Sequence, residues 1–187
     1  MEKIRSNNIF EGSRLDYDVP TQATFMVVTL ARYRGLAVPV KVVARCIFIR
    51  GSELLVQVSK KGDRYRLPGG SVNDTETIIE CLKREMYEEL GVNIEVGKLL
   101  YIVESFYKKK NKIVHEIGFY FLCRFADKEN ENITSKEKHV EINWTPLDQL
   151  EETKFRPPIL LAILREDFKK GFQGAYPRYI VGLELEP

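Results

Sequence analysis

After the N-terminal segment, apolar residues come in short runs separated by glycine-rich and charged turns, a pattern that predicts a sheet. Residues 40–49 are rich in β-branched side chains, as is typical of a buried strand, and residues 54–58 form the predicted returning strand. Two longer apolar runs, 94–106 and 112–125, flank a polar turn at 107–111. These two runs are therefore predicted to pair as a hairpin.

One segment carries the signals of a helix at both ends. Thr77 and Glu80 have the spacing of a capping box, and Gly91 is the residue type that commonly ends a helix. Apolar residues recur between them at helical spacing and are predicted to face the core: Ile79, Leu82, Met86 and Leu90. Other predicted elements are a short strand at 140–144, a helical turn at 147–151 and a C-terminal helix at 158–170, which begins with a proline.

The two ends of the chain carry less pattern. Residues 1–39 are predicted to be an N-terminal extension with one helix at 22–34, and residues 40–187 to form the main domain. The helix at 22–34 is a candidate contact in a homodimer. Residues 171–187 show no clear period, so no element is predicted there.

Composition excludes several classes of protein. Hydrophobic residues make up 44% and charged residues 30% of the 187 residues, which is normal for a globular domain. The net charge of +2 is too balanced for a strong nucleic-acid footprint, and no apolar run reaches transmembrane length. Three cysteines with no metal-type cluster are expected to be reduced thiols, so a cytoplasmic location is predicted.

The predicted helix at 78–90 carries three carboxylates on one strip of its surface. Glu85, Glu88 and Glu89 stand at i, i+3 and i+4, beside the apolar stripe, and are expected to face outward at the border of the core. Taken alone, such a strip is most often a solvated face. With a divalent cation, however, these oxygen ligands suit Mg²⁺ bound to a polyphosphate.

The carboxylates belong to a longer pattern of seven fixed residues between positions 70 and 91. The residues are Gly70, Glu76, Arg84, Glu85, Glu88, Glu89 and Gly91. They match the Nudix box, G-x5-E-x7-R-E-U-x-E-E-x-G-U, at every position, with Met86 and Val92 at the bulky apolar positions U. The segment 67–69 ahead of the box also resembles that family. The chain is therefore identified as resembling the Nudix hydrolases, also called MutT-like.

The resemblance implies a fold, a reaction and roles for the residues of the box. The fold is an α/β/α sandwich with a mixed β-sheet, in which the box forms a loop–helix–loop. The implied reaction is attack of water on a phosphorus of a nucleoside diphosphate linked to another group, with Mg²⁺ or Mn²⁺. The implied metal ligands are Glu85, Glu88 and Glu89. Arg84 and Glu76 would form an orienting salt bridge, and the backbone of Gly69 and Gly70 would approach the metal or phosphate.

Other candidates lie outside the box. Arg45 stands in the middle of an apolar strand, where a charge needs a ligand or a partner. It is expected either to bind a substrate phosphate or to pair with a structural acid, and Arg66 is a further candidate for substrate binding. Glu116 or its neighbour His115 is a second candidate, because the two must point to opposite faces of a strand. The alternative, which is favoured slightly, is a strand that begins at the solvent boundary.

Three more residues are candidates by position. Tyr107 lies at a distance from the box where a tyrosine occurs in diadenosine polyphosphate hydrolases. For the general base, Glu137 and Glu141 are the predicted candidates, although both have the alternative of being surface acids. The lysines at 108–110 and 112 are most simply a solvated turn, with a contact to a polyphosphate tail as the alternative.

The predicted function is metal-dependent hydrolysis of a nucleotide-type pyrophosphate. Nucleoside triphosphates, nucleotide sugars and dinucleoside polyphosphates all remain open as substrates. The alternative function is a non-catalytic, nucleotide-sensing Nudix domain, which the intact box disfavours. A structural Ca²⁺ site is a poorer alternative, because the sequence has no EF-hand-type loop.

Overall fold

The computed structural model describes residues 39–62, 64–110, 112–126 and 133–184, so the predicted helix at 22–34 lies outside the described residues. The strands in these ranges are β1 (Val40–Ile47), β2 (Ile49–Arg50), β3 (Glu53–Ser59), β4 (Tyr65–Arg66), β5 (Ile94–Lys109), β6 (Lys112–Phe125), β7 (Val140–Pro146), β8 (Phe155–Arg156) and β9 (Arg178–Glu184). The helices are α1 (Ile78–Leu90), a 3-10 turn (Gln149–Glu152) and α2 (Pro158–Lys169).

The strands form two mixed sheets. In the first, the order is β1-β6-β5-β9, with β6 antiparallel to β5 and with β1 and β9 parallel to their neighbours. In the second, β3 lies between antiparallel partners β2, β4 and β7, and β8 adds parallel to β4. The predicted hairpin is confirmed, but its strands extend into the segment 107–111 that was predicted to be the turn, because Lys109 still pairs with Lys112.

Side chains that alternate along the strands form two cores on opposite faces. Leu54 and Val56 of β3 pack in the core that includes the α2 residue Leu160, whereas Leu55 packs in the core that includes Leu82 and Met86 of α1. Each face of the sheet layer is therefore covered by one helix. The α/β/α sandwich with mixed sheets is confirmed.

Helix α1 begins and ends where its caps were predicted. The Thr77 hydroxyl accepts the Glu80 N–H at 3.2 Å, and the Glu80 carboxylate accepts the Thr77 N–H at 2.8 Å. Gly91 follows the helix at φ 73°, in the left-handed region. The prediction that Ile79 faces the core is wrong, since Ile79 is 37% exposed. Cys81 is buried instead, on the face of α1 that lies against the carbonyl of Ser71.

Strand β9 is the element that no sequence pattern predicted. It pairs in parallel with β5 over seven residues from Arg178 to Glu184, and it is an edge of the first sheet. Exposed and buried positions alternate from Tyr179 to Gly182, but the exposed ones, Tyr179 and Val181, are themselves apolar, so the sequence shows no alternation of polar and apolar residues. Pairing with β5, rather than its own periodicity, therefore defines this strand. Among the described residues, no helix has the length and apolar character needed to cross a membrane.

Candidate active site

The loop that opens the Nudix pattern is held along β1 by backbone hydrogen bonds. Ala44 donates its N–H to the Gly70 carbonyl at 2.9 Å, and Cys46 donates to the Pro68 carbonyl at 2.9 Å. Gly69 has φ 123°, and a Cβ there would clash with the Ala44 carbonyl oxygen. A glycine is therefore required at position 69 by both its backbone conformation and its close approach to β1.

The same loop meets helix α1 at two carboxylates. A Cβ on Gly70 would overlap the carboxyl group of Glu85, so this carboxylate lies directly on the bare backbone of the loop. One helical turn further on, the Glu89 carboxylate accepts the Gly69 N–H at 3.1 Å. Glu85 and Glu89 thus reach two consecutive glycines of one loop.

Glu89 does not face outward, and that prediction is wrong. Glu89 is only 5% exposed. Position 89 lies three residues after Met86 and seven after Leu82, so its side chain is on the face of the helix that packs on the sheet. Burial raises the pKa of the Glu89 carboxyl group, and hydrogen bonds from the Gln57 side chain and the Gly69 N–H oppose this shift. A buried carboxylate of this kind gains from a cation placed beside it.

Arg84 connects three of the acidic side chains. Its guanidinium donates to Glu76 at 2.6 and 2.8 Å, to Glu85 at 2.9 Å and to Glu88 at 3.0 Å. It also donates to the Ser71 carbonyl at 3.2 Å. The predicted ion pair between Arg84 and Glu76 is present, and it ties the loop to the helix.

The Arg84–Glu76 pair predicts a dependence of stability on acid. The guanidinium of Arg84 lowers the pKa of Glu76 to about 2. Because the folded-state pKa lies below the unfolded value, the stabilisation is present above the unfolded pKa and is lost as the pH falls toward 2. We expect Glu76→Gln to have a lower free energy of unfolding than the wild type at pH 6, and we expect this difference to shrink as the pH falls to 3. Urea unfolding across this pH range measures the difference in free energy of unfolding, and a difference independent of pH would contradict the pairing.

The three predicted metal ligands differ in their surroundings. Glu85 and Glu88 are both paired with Arg84, whereas Glu89 turns toward Gly69. Within the ranges that the structure describes, no three His, Cys, Asp or Glu side chains come close enough together to hold a metal ion. The donor set nevertheless fits a divalent cation, because Glu85 and Glu89 are oxygen ligands that border one glycine loop and Glu88, with an exposed side chain, follows on the same helix.

Arg45 donates to loop carbonyls on the strand side of this site. Its guanidinium donates to the carbonyl oxygens of Leu67, at 3.4 Å, and of Gly69. These hydrogen bonds provide acceptors for the guanidinium in the middle of the strand. They also place it at the same loop that Glu85 and Glu89 reach. The hydrogen bonds found for Arg45 within the described part of the chain go to carbonyls, and its binding of a substrate phosphate stays a prediction.

Arg66 reaches the same group through Gln57, a residue that the sequence analysis missed. Arg66 donates to the side-chain oxygen Oε1 of Gln57 at 2.7 Å, and the Gln57 side chain acts on the pKa of Glu89. Burial lowers the pKa of Arg66, and the nearby charge of Arg45 lowers it further. The available signal for Gln57 was a glutamine inside the apolar run of β3, where it is 1% exposed.

Tyr107 and Glu116 contact each other on the neighbouring part of the first sheet. The Tyr107 hydroxyl donates to Glu116 at 3.2 Å, and Lys41 donates to the same carboxylate oxygen at 3.0 Å. His115 points to the opposite face and bonds Glu104 at 2.7 Å. Of the two neighbours, Glu116 therefore lies on the face of β1 that carries Arg45, because Lys41 and Arg45 are four residues apart on that strand.

The two predicted general bases lie in different places. Glu141 stands opposite Val58, and Val58 packs in the core of α2, so Glu141 is on the other face of the sheet from Gln57. The structure does not bring Glu141 to the group around Glu89. Glu137 is exposed, and its neighbour Lys136 donates an N–H to the Glu89 carbonyl at 2.7 Å, which places Glu137 beside the end of α1.

Comparison with known proteins supports what the geometry indicates. The sequence model of the NUDIX domain matches residues 40–164. The 8-oxo-dGTP diphosphatase of Buchnera aphidicola subsp. Schizaphis graminum is 28% identical over 116 residues, which is 60% of this chain and 82% of that protein. The diphosphoinositol polyphosphate phosphohydrolase 2 of Rattus norvegicus is 36% identical over 76 residues, 38% of this chain and 42% of that protein.

Solved structures show the same fold. The crystal structure of a MutT protein from Bacillus halodurans has a TM-score of 0.58 and 20% identity, and the match covers 77% of this chain and 90% of that chain. The MutT protein from Methanosarcina mazei Go1 has a TM-score of 0.55 and 22% identity, with coverage of 75% and 100%. With the family match over residues 40–164, the loop–helix arrangement around Arg84 makes this chain a member of the NUDIX family, a Nudix pyrophosphohydrolase.

Proposed function

We propose that this protein hydrolyses a nucleotide-type pyrophosphate, a nucleoside diphosphate linked to another group, with Mg²⁺ or Mn²⁺ held by Glu85, Glu88 and Glu89. The observation that carries the proposal is the convergence of Glu85 and Glu89 on the glycine loop at 69–70. When bound there, the cation neutralises phosphate charge and lowers the pKa of water. The Nudix family acts on nucleotide-type small molecules and generally uses divalent metal ions.

The residues around the loop have distinct proposed roles. Arg84 and Glu76 orient the carboxylates of α1, since their ion pair connects the helix to the loop. Arg45 and Arg66 bind phosphate oxygens, because the Arg45 guanidinium lies at the loop and the Arg66 guanidinium is near enough for the Arg45 charge to lower its pKa. Gly69 and Gly70 let the backbone approach the ligand.

The proton of the attacking water needs an acceptor. Between the two predicted bases, we favour Glu137, because its charge acts on the guanidinium of Arg66 and its segment crosses the end of α1. Glu141 lies on the opposite face of the sheet. We also propose a cytoplasmic location, since Cys46, Cys81 and Cys123 are free thiols.

Substitution of Arg45 tests its role toward the phosphates. We expect Arg45→Ala to raise KM by about 10-fold to 100-fold, because a lost hydrogen bond to a charged group costs about 1.5–3 kcal/mol. The measurement is a set of initial rates against pyrophosphate substrate, and Arg124→Ala, at an exposed arginine paired with Glu95, is the matched control. An unchanged KM in a folded Arg45→Ala protein would contradict this role.

A single panel of substrates tests the function itself. The protein is incubated with Mg²⁺ or Mn²⁺ and with nucleoside triphosphates, nucleotide sugars and dinucleoside polyphosphates, and the phosphorylated products are separated and quantified. We expect cleavage at a phosphoanhydride of at least one class, and none when a chelator removes the metal. Nucleotide binding without turnover of any class would instead support a nucleotide-sensing domain.

A further inference from the structure

We propose that Glu116 and Glu184 form the part of the site that recognises the nucleobase, and that they select an amino-bearing purine over a polyphosphorylated group. The inference rests on the proposed function, because it concerns the moiety beyond the scissile pyrophosphate. Glu184 belongs to the strand that the sequence did not predict.

The strand register brings these side chains together on one face of the first sheet. In β5, Ser105 pairs with Glu116 of β6 on one side and with Gly182 of β9 on the other. Two residues further along β5, Tyr107 pairs with Glu184 of β9. Residues aligned in this way point to the same face. Tyr107 is hydrogen-bonded to Glu116, and the charges of Glu116 and Glu184 act on each other.

Each carboxylate has one oxygen engaged and one oxygen available. Lys41 and Tyr107 both donate to Oε2 of Glu116, and Arg156 donates to Oε2 of Glu184. Among the described residues, Oε1 of neither glutamate has a hydrogen-bond partner. These bonds hold both side chains in place and leave one acceptor oxygen available on each half-buried carboxylate.

Arg45 connects this group to the phosphate-binding loop. Its charge acts on Glu89 on one side and on the hydroxyls of Tyr107 and Tyr120 on the other. Tyr120 is the residue aligned with Arg45 in β6, and its ring lies against Gly118, between Glu116 and Arg45 on that face. A ligand whose phosphates lie at Arg45 can therefore extend its other end along this face toward Glu116.

The chemistry of the group favours a neutral donor. Two carboxylate oxygens accept hydrogen bonds from the N–H groups of a base such as guanine, whereas an ionised phosphate has no hydrogen to donate to them. Tyr107 stays a neutral hydroxyl, since burial and the Glu116 carboxylate raise its pKa to about 12. The exposed lysines at the hairpin tip, 108–110 and 112, are the competing feature, because they would favour a ligand with additional phosphates.

The test compares GMP with IMP, which lacks the 2-amino group, by calorimetric titration of the full chain. We expect GMP to bind about 10-fold tighter or better, since a hydrogen bond to a charged acceptor is worth about 1.5–3 kcal/mol. The ratio should fall to less than about 3-fold in Glu116→Ala and in Glu184→Ala. Glu95→Gln is the control, because Glu95 is exposed at the other end of β5, ten residues from Ser105.

The outcomes separate this inference from the proposed function. Equal binding of GMP and IMP by the wild type, or a preference that both alanine variants retain, would overturn the nucleobase role even if pyrophosphates are cleaved. Glu116→Gln, which keeps an acceptor oxygen, provides a second variant should the alanine protein fail to fold, and it should show an intermediate ratio. Faster hydrolysis of a diphosphoinositol polyphosphate than of GTP by the wild type would also refute the selection proposed here.

Discussion

Glu89→Gln is expected to lower kcat for pyrophosphate hydrolysis by about 1,000-fold, because a bound metal ion contributes several kcal/mol to catalysis. Glutamine has nearly the same shape, so its carbonyl oxygen can still accept the Gly69 N–H, and the buried side chain can still pack beside Gln57. What the substitution removes is the negative charge that a divalent cation needs. The fold should therefore persist while turnover is lost.

The measurement is single-substrate kinetics at saturating Mg²⁺, with circular dichroism to verify folding. Glu80→Gln is the matched control on the same helix, because Glu80 forms the capping box, in which glutamine is also accepted at this position. The control should retain wild-type kcat. A folded Glu89→Gln protein with unchanged kcat would refute the metal role of Glu89.

Gly69→Ala is expected to destabilise the domain by about 3 kcal/mol or more, through backbone strain and overpacking together. Gly69 has a positive φ of 123°, and its Cβ would clash with the carbonyl of Ala44, a backbone atom that cannot move without disturbing β1. At about 2–4 °C per kcal/mol for a chain of this size, the melting temperature should fall by about 6–12 °C. Activity should fall as well, because the Gly69 N–H positions Glu89.

Gly62→Ala is the control at a glycine that also has a positive φ but has free space around it. Gly62 also has a positive φ, of 66°, but a Cβ there would meet nothing within 4 Å. This control should therefore show only the smaller cost of the backbone conformation, about 1 kcal/mol. If both variants melted at the same temperature, the close approach of Gly69 to β1 would not contribute to stability, and the clash expected for Gly69→Ala would be refuted.

The local elements of the fold could be predicted because their signals lie close together in the chain. The capping box of Thr77 and Glu80 and the terminal Gly91 act within one or two helical turns, so the bounds of α1 followed from the sequence. The hairpin of β5 and β6 was visible for the same reason. Strand β9 was not, because only its pairing with β5, more than seventy residues earlier, makes it a strand.

The candidate site divides in the same way. The seven-residue pattern from Gly70 to Gly91 identified the family and the acidic strip without any structure. The orientation of each acid depended on tertiary packing: Glu89 is buried, whereas the side chain of Glu88 is 59% exposed, although the two are adjacent. The sheet to which α1 packs decided that difference.

The sequence by itself determined the family of this protein, because the residue types and spacing of the Nudix pattern are local properties of one loop and one helix. Tertiary structure alone decided which other side chains join it. Gln57 comes to Glu89 through the register of β3, and Glu184 comes to Tyr107 through the edge strand β9. Such contacts between distant segments arise from how the sheets pack and pair, which no local pattern of residues encodes.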